Sequence, residues 1–383
     1  MGGDERVTSK TPRPPEAAAY PPMSVIALLG QRDKPTDALH DYCGQLQHAF
    51  AKRGLALELA EVRWDRQGYL GALVRLWSQC QAWRGRWVLV QYTALSWSRH
   101  GFPFGALAVL GLVCRRGAKC VVVFHDAQGF YGLRVVDRLR RACQHWTMRQ
   151  AYRLAHRSVF TIPVENIGWL PKKRVKATFI PIGANIPEPQ GTSAETDPGT
   201  SRLKTVAVFG VTGGDRIARE VRDITYAMRC VSEKHSQLRL VVLGRNSTDA
   251  EVALRSALQG TGVVVQILGV IPAEEITRCL SLADVQLFVR GPIAATRGSA
   301  IAGIACGLPI VCYAGHETGF PITEAGLQLV PDGDRDALAV ALDRVLSNDQ
   351  LRRELRWRSL RAYADYFSWA RIVEQFAMEL TSG

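Results

Sequence analysis

Short, wholly apolar runs alternate with stretches of helical periodicity along this chain, and the rhythm occurs twice. In the first half the runs are SVIALL (24–29), LELAEV (57–62), WVLVQY (87–92), CVVVFH (120–125), SVFTI (158–162) and TFIPI (178–182). In the second half they are TVAVFG (205–210), LRLVVLG (238–244), VVVQILG (263–269), DVQLFV (284–289), PIVCY (309–313) and LQLV (327–330). A strand without polar alternation is buried on both faces, which fits a parallel sheet covered by helices on either side. The stretches between them supply those helices. Residues 37–53 and 135–154 have the right spacing, and the Asp37 carboxylate is placed to cap the first of them. The expected fold is therefore α/β: two doubly wound, Rossmann-like parallel sheets facing a cleft.

A chain of 383 residues is comfortable for two domains. The divider is NIPEPQGTSAETDPGTSRLK (185–204), whose Pro, Gly, Ser and Thr read as a linker. The first domain is expected over 23–184, behind a polar, Pro-rich tail (1–22) without the apolar core of a secretion signal. The longest apolar run, 102–114, contains Pro103 and two glycines. It falls short of the roughly 20 apolar residues of a membrane-crossing helix. The nine cysteines form no CxxC pair and lie mostly in apolar runs, so they read as reduced core residues of a cytoplasmic protein, neither bridges nor metal ligands. The eight histidines show no metal-binding spacing, and no metal is expected. The net charge of +13 is concentrated: between Arg115 and Lys176, fourteen Lys and Arg face three acids. Such a face suits an anionic partner.

In doubly wound sheets, ligands bind beyond the carboxyl ends of the strands. Five such ends carry polar or glycine-rich turns: HDAQGFYG (125–132), VFGVTGGDR (208–216), VVLGRNS (241–247), RGSAIAGIACG (297–307) and GHETGF (315–320). The second of them lacks the full GxGxxG fingerprint and the P-loop lysine, which argues against nicotinamide or P-loop chemistry.

The order VAVFG, LRLVVLG, VVVQILG, ITRCLSLADVQLFV, AIAGIACGLPIVCY and GLQLVPDGD resembles the bacterial group-1, or family 4, sugar transferases of the two-Rossmann GT-B fold. The resemblance runs from Met23 onward and is most specific at ACGLPIV. It implies a nucleotide-sugar-binding domain over 205–362 and a closing helix within 363–383 that crosses back to the first domain. It also implies donor contacts from Gly210, Thr212, Arg216, Gly244, Arg245, Arg297, Gly298, Ser299, Glu317 and Thr318. Physical chemistry agrees, since glycine turns, helix N-termini and Arg side chains all suit a diphosphate. His125 and Asp126, ending the VVVF strand, are the expected catalytic pair, and Thr36 and Asp37 the expected acceptor contacts. The family usually carries two Glu separated by seven residues, and those positions are Ala294 and Ala302 here. Thr296, Arg297 or Glu317 are expected to stand in for them.

The expected activity is sugar transfer from a nucleotide-sugar, itself a substrate, with no cofactor. The resemblance further implies retention of configuration without a metal, and a lipid-linked or oligosaccharide acceptor at the inner face of the membrane. A nucleotide-sugar epimerase on the same fold would need acid/base carboxylates in the cleft. A non-catalytic, membrane-docked scaffold would explain the two alanines. Nucleic-acid binding would rest on charge alone and is not expected.

Overall fold

All twelve apolar runs are strands. The computed structural model describes residues 24–31, 37–132, 134–189 and 203–381, so the tail, most of the linker and Thr36 lie outside the described residues. The first sheet contains β1 Ser24–Leu29, β2 Ala56–Glu61, β3 Trp87–Tyr92, β4 Lys119–Phe124, β5 Arg157–Phe160 and β6 Ala177–Phe179. The second contains β7 Lys204–Phe209, β8 Leu238–Leu243, β9 Val264–Gly269, β10 Val285–Phe288, β11 Ile310–Ala314 and β12 Leu327–Pro331. Every pairing is parallel, in the orders β2-β1-β3-β4-β5-β6 and β12-β11-β10-β7-β8-β9. The winding direction reverses between β1 and β3 in one sheet and between β7 and β10 in the other. Ligand crevices form at such reversals. β6 stops at Phe179, short of the expected 182, where Pro181 has no N–H to give the ladder.

The helices are α1 Ala38–Lys52, α2 Trp64–Gln79, α3 Phe104–Arg115 and α4 Val135–Leu154 in the first half. The second half carries α5 Ile217–Ser232, α6 Glu251–Ala257, α7 Ala273–Ser281, α8 Gly298–Ala305, α9 Arg335–Ser347, α10 Asp349–Ala362 and α11 Trp369–Thr381. They cover both faces of each sheet. Along β1, Ile26 and Leu28 join one apolar cluster, while Val25, Ala27 and Leu29 join the one on the opposite face. That two-residue alternation is the pleat of a strand buried on both sides.

Two helices position the site. α8 is built of small residues because it lies directly on β10. The fully buried Gln286 donates from Nε2 to the Ser299 carbonyl at 3.0 Å, and a Cβ at Gly303 would run into Gln286 Oε1. α11 belongs by packing to the first domain. Its Trp369, Ile372, Val373, Phe376 and Leu380 share a cluster with Tyr42, Phe50 and the strands of the first sheet. Trp369 Nε1 donates to the Ala184 carbonyl at 2.7 Å, and Glu379 accepts from Thr178 and pairs with Arg157 at 3.1 Å.

Two of the cysteines meet at one place. All nine are free, but Cys114 Sγ and Cys120 Sγ lie 3.0 Å apart, with His156 beside them. The turn between α3 and β4 is the cause. Ala118 N–H bonds the Val113 carbonyl and Gly117 N–H the Cys114 carbonyl, a helix end that needs the left-handed Gly117 (φ 85°).

Candidate functional site

The reversal of the second sheet gathers cationic side chains. Gly210 and Arg290 leave the ends of the neighbouring strands β7 and β10, and a Cβ at Gly210 would sit 3.1 Å from the Arg290 guanidinium. Val211 N–H bonds the Arg245 carbonyl at 3.1 Å, which ties the turn after β8 to the turn after β7. Burial holds the Arg290 pKa below its ordinary value; the nearby Glu220 carboxylate opposes this, and Arg297 and Arg245 add to it. Glu220 is itself buried on α5 and accepts the Thr212 amide at 2.7 Å. Three guanidiniums thus act around one carboxylate and leave an excess of positive charge. Arg297 Nε is buried with no hydrogen-bond partner among the described residues. A buried donor in that state costs about 1–3 kcal/mol, which an incoming anion would recover. α8 begins just beyond, at Gly298 and Ser299, and no side chain caps it. Its first amides therefore add donors and a partial positive charge at the same place.

The first sheet offers a neutral imidazole. His125 follows the last residue of β4, and its Nε2 donates to Gln91 Oε1 at 2.8 Å. Gln91 is fully buried on β3 and uses its own Nε2 on the Leu89 carbonyl, so its oxygen is the acceptor. This arrangement puts the proton on Nε2 and leaves Nδ1 as a lone pair. The Tyr42 ring meets the imidazole edge-on at 4.8 Å, and burial pushes the His125 pKa down to about 3. Asp126, the next residue, is raised by burial. The Gly129 and Gln128 amides and His145 work against that rise, and the Glu317 carboxylate adds to it. Glu317 belongs to the loop after β11, so a carboxyl group of the second domain acts electrostatically on one of the first. Thr318 fixes that loop: its Oγ1 donates to the Ile293 carbonyl at 2.6 Å and accepts the Gly315 amide at 3.0 Å.

The expected site residues therefore separate. Gly210 lies against Arg290, Arg245 and Arg297 act electrostatically on it, Gly298 and Ser299 open the helix that follows Arg297, and Thr212 N–H is held by Glu220. Gly244 is buried in the neighbouring turn, its amide on the Gly269 carbonyl. Arg216 stands exposed on the single turn Gly214–Arg216 and is not among the charges that act on Arg290. Asp37 caps α1, its Oδ1 accepting the Leu39 and His40 amides at 3.0 and 3.2 Å. Ala294 and Ala302 are both buried, and Ala302 sits in an apolar cluster with Phe288 and Ile310. A carboxylate at 302 would be an unpaired buried charge. Arg290 and Gln91 escape the sequence reading. Arg290 is one residue past an apolar strand beside the reversal, a position that the strand-end rule marks once the strand order is known.

Comparison with known proteins extends this picture. The family model for group 1 glycosyl transferases matches residues 208–348. No curated protein matches the chain. Among solved structures, a glycosyltransferase from Rickettsia africae superposes with a TM-score of 0.66 at 12% identity, covering 95% of this chain and 100% of that one. Anabaena HepE, in complex with UDP and glucose, gives 0.64 at 13% identity over 94% of this chain and 100% of its own. A protein named as a UDP-N-acetylglucosamine 2-epimerase, from Listeria monocytogenes, gives 0.57 at 13% identity over 95% and 98%. Residues 208–348 are thus similar to the group 1 glycosyl transferases, and the whole chain has the GT-B architecture of two Rossmann-like domains.

Proposed function

We propose that this protein transfers a sugar from a nucleotide-sugar donor to a hydroxyl of a lipid-linked or oligosaccharide acceptor. The reading rests on one observation: Arg290 lies at the reversal of the second sheet within electrostatic reach of Arg297 and Arg245, and Arg297 opens an uncapped helix. In the reaction, the bond from the donor anomeric carbon to the terminal phosphate oxygen breaks. The acceptor oxygen takes the carbon, and the acceptor proton leaves with the diphosphate. Arg290, Arg297 and the Gly298 and Ser299 amides offset the charge growing on the leaving phosphate, an electrostatic role already in place before the bond breaks. His125 stays neutral, is oriented by Gln91, and offers Nδ1 to a sugar hydroxyl from the first domain. Retention of configuration and independence from metal ions are part of the proposal. HepE was seen with UDP and glucose, so UDP-sugars are the first donors to try.

The same reading includes docking on an anionic membrane. No helix among the described residues is long and apolar enough to cross one. In support of surface attachment, α4 exposes Val135, Val136, Leu139 and Trp146 alongside the exposed Arg134, Arg138, Arg149 and Arg153. Apolar and cationic groups mixed on one helix suit a lipid headgroup region.

A second reading keeps the donor and changes the chemistry. Asp126 and Glu317, one from each domain, act on each other electrostatically, and such a pair is what a nucleotide-sugar epimerase would need. One experiment separates the two. The chain is incubated with a panel of nucleotide-sugars and a sugar acceptor mixture, and the nucleotides are resolved by chromatography. Release of nucleoside diphosphate, lost in Arg290→Ala, supports transfer. Conversion of one nucleotide-sugar into another, without release, supports epimerisation instead.

A further inference from the structure

Cys114, Cys120 and His156 lie at the end of the first sheet away from the cleft, and nothing proposed above uses them. Cys114 occupies the last turn of α3, Cys120 the start of β4, and His156 the entry to β5. We propose that Cys114 and Cys120 are a dithiol that exchanges with low-molecular-weight disulfides and closes into an intramolecular disulfide. The Sγ atoms are 3.0 Å apart. About 1 Å of approach brings them to the ~2.05 Å of a bonded pair. The turn through Gly117 holds both ends of the seven-residue stretch CRRGAKC in place, so the closure moves side chains and leaves the sheet as it is.

The two thiols differ in the way exchange requires. Cys114 is partly exposed, and its sulfur–sulfur contact with Cys120 favours its thiolate against the opposing effect of burial. Cys120 is buried, and its pKa is raised by the contact with Cys114 and by burial. Arg115, Arg116 and Lys119 lie between them in sequence, and Lys119 and Lys176 act on His156. The Cys114 thiolate attacks one sulfur of the disulfide, forms a mixed disulfide and expels the first thiolate. Cys120 then attacks Cys114 Sγ, its proton goes to a departing thiolate, and the second thiol leaves. Two protein thiols are oxidised and one small disulfide is reduced to two thiols.

The same three residues could be read as a zinc site, since their ligand atoms lie within 4.8 Å of one another. The geometry disfavours it. His156 Nδ1 already accepts the Cys120 backbone amide at 3.0 Å, so the neutral ring carries its proton on Nε2 and has no lone pair to spare.

The test uses the full chain, glutathione disulfide as the oxidant, alkylation of the remaining thiols and peptide mass spectrometry. The expected result is that alkylation at Cys114 and Cys120 falls about tenfold, and that their peptides appear joined and lighter by two hydrogens. Dithiothreitol should restore labelling, and the Cys120→Ala chain should retain glutathione on Cys114. Circular dichroism of that variant confirms that it is folded, and the unmodified chain answers the question without it. Unchanged alkylation at both cysteines overturns the proposal, as does a bond from Cys120 to any cysteine other than Cys114. Protection that appears only with added zinc and disappears with a chelator overturns it in favour of a metal site.

Discussion

At the scale of single residues, Arg290 and Arg297 carry the heaviest expectation. Each is partly withdrawn from water, so its contact with a diphosphate is a charge-assisted bond worth roughly 1.5–3 kcal/mol. Arg290→Ala and Arg297→Ala should each weaken nucleoside diphosphate binding, measured by calorimetry, by more than about tenfold. Arg216→Ala, on an exposed turn, should cost less than about 1 kcal/mol. His125 makes a prediction in pH. Its folded pKa, about 3, lies below the unfolded value of roughly 6.5, so between those limits the unfolded chain binds a proton that the folded one refuses. Stability should therefore be fully present above pH ~6.5 and fall by about 1.4 kcal/mol per unit as pH drops below it. Chemical denaturation of His125→Gln should lack this part of the slope. Turnover of His125→Ala should drop by about 10²-fold while nucleotide binding holds. The sequence shows His125, Asp126 and Arg297 as candidates because strand ends can be read from apolar runs. It hides Glu220 and the action of Glu317 on Asp126, since these depend on how a helix and a second domain fold back in space.

At the scale of elements, the strands were the most legible part of the chain. Twelve apolar runs gave twelve strands, because burial on both faces leaves an uninterrupted signal. Only strand order, and with it the reversals that place Arg290 and Gln91, needed the three-dimensional fold. The alanine-rich helix α8 shows what composition alone leaves open. Its small residues admit both close approach of a ligand and close packing on a strand. At Gly303 the neighbour is Gln286, a core side chain. Gly303→Ala should therefore overpack the core and cost about 1–3 kcal/mol in a denaturant titration. The run at 102–114 resolves similarly: α3 buries Ala106, Val109, Leu110 and Val113 against its own domain.

At the scale of the whole molecule, charge and connectivity are the features with consequences. If the basic face of the first domain meets lipid, each contributing Lys or Arg should add on the order of 1 kcal/mol near an anionic surface. Co-sedimentation with phosphatidylserine vesicles should fall steeply between low and physiological salt, and should be absent with neutral vesicles. Connectivity leads elsewhere. Because Trp369, Ile372, Val373, Phe376 and Leu380 complete the core that begins at β1, the second domain is threaded into the first like an insert. A chain ended after Ser368 should keep a folded second domain and lose cooperative unfolding of the first, as read by hydrogen exchange. Proteins are made from the amino end, and many domains finish folding as they emerge. This one cannot: its leading half waits, with an unfilled apolar seam, until residues 369–380 leave the ribosome, and until then that seam is what chaperones would meet.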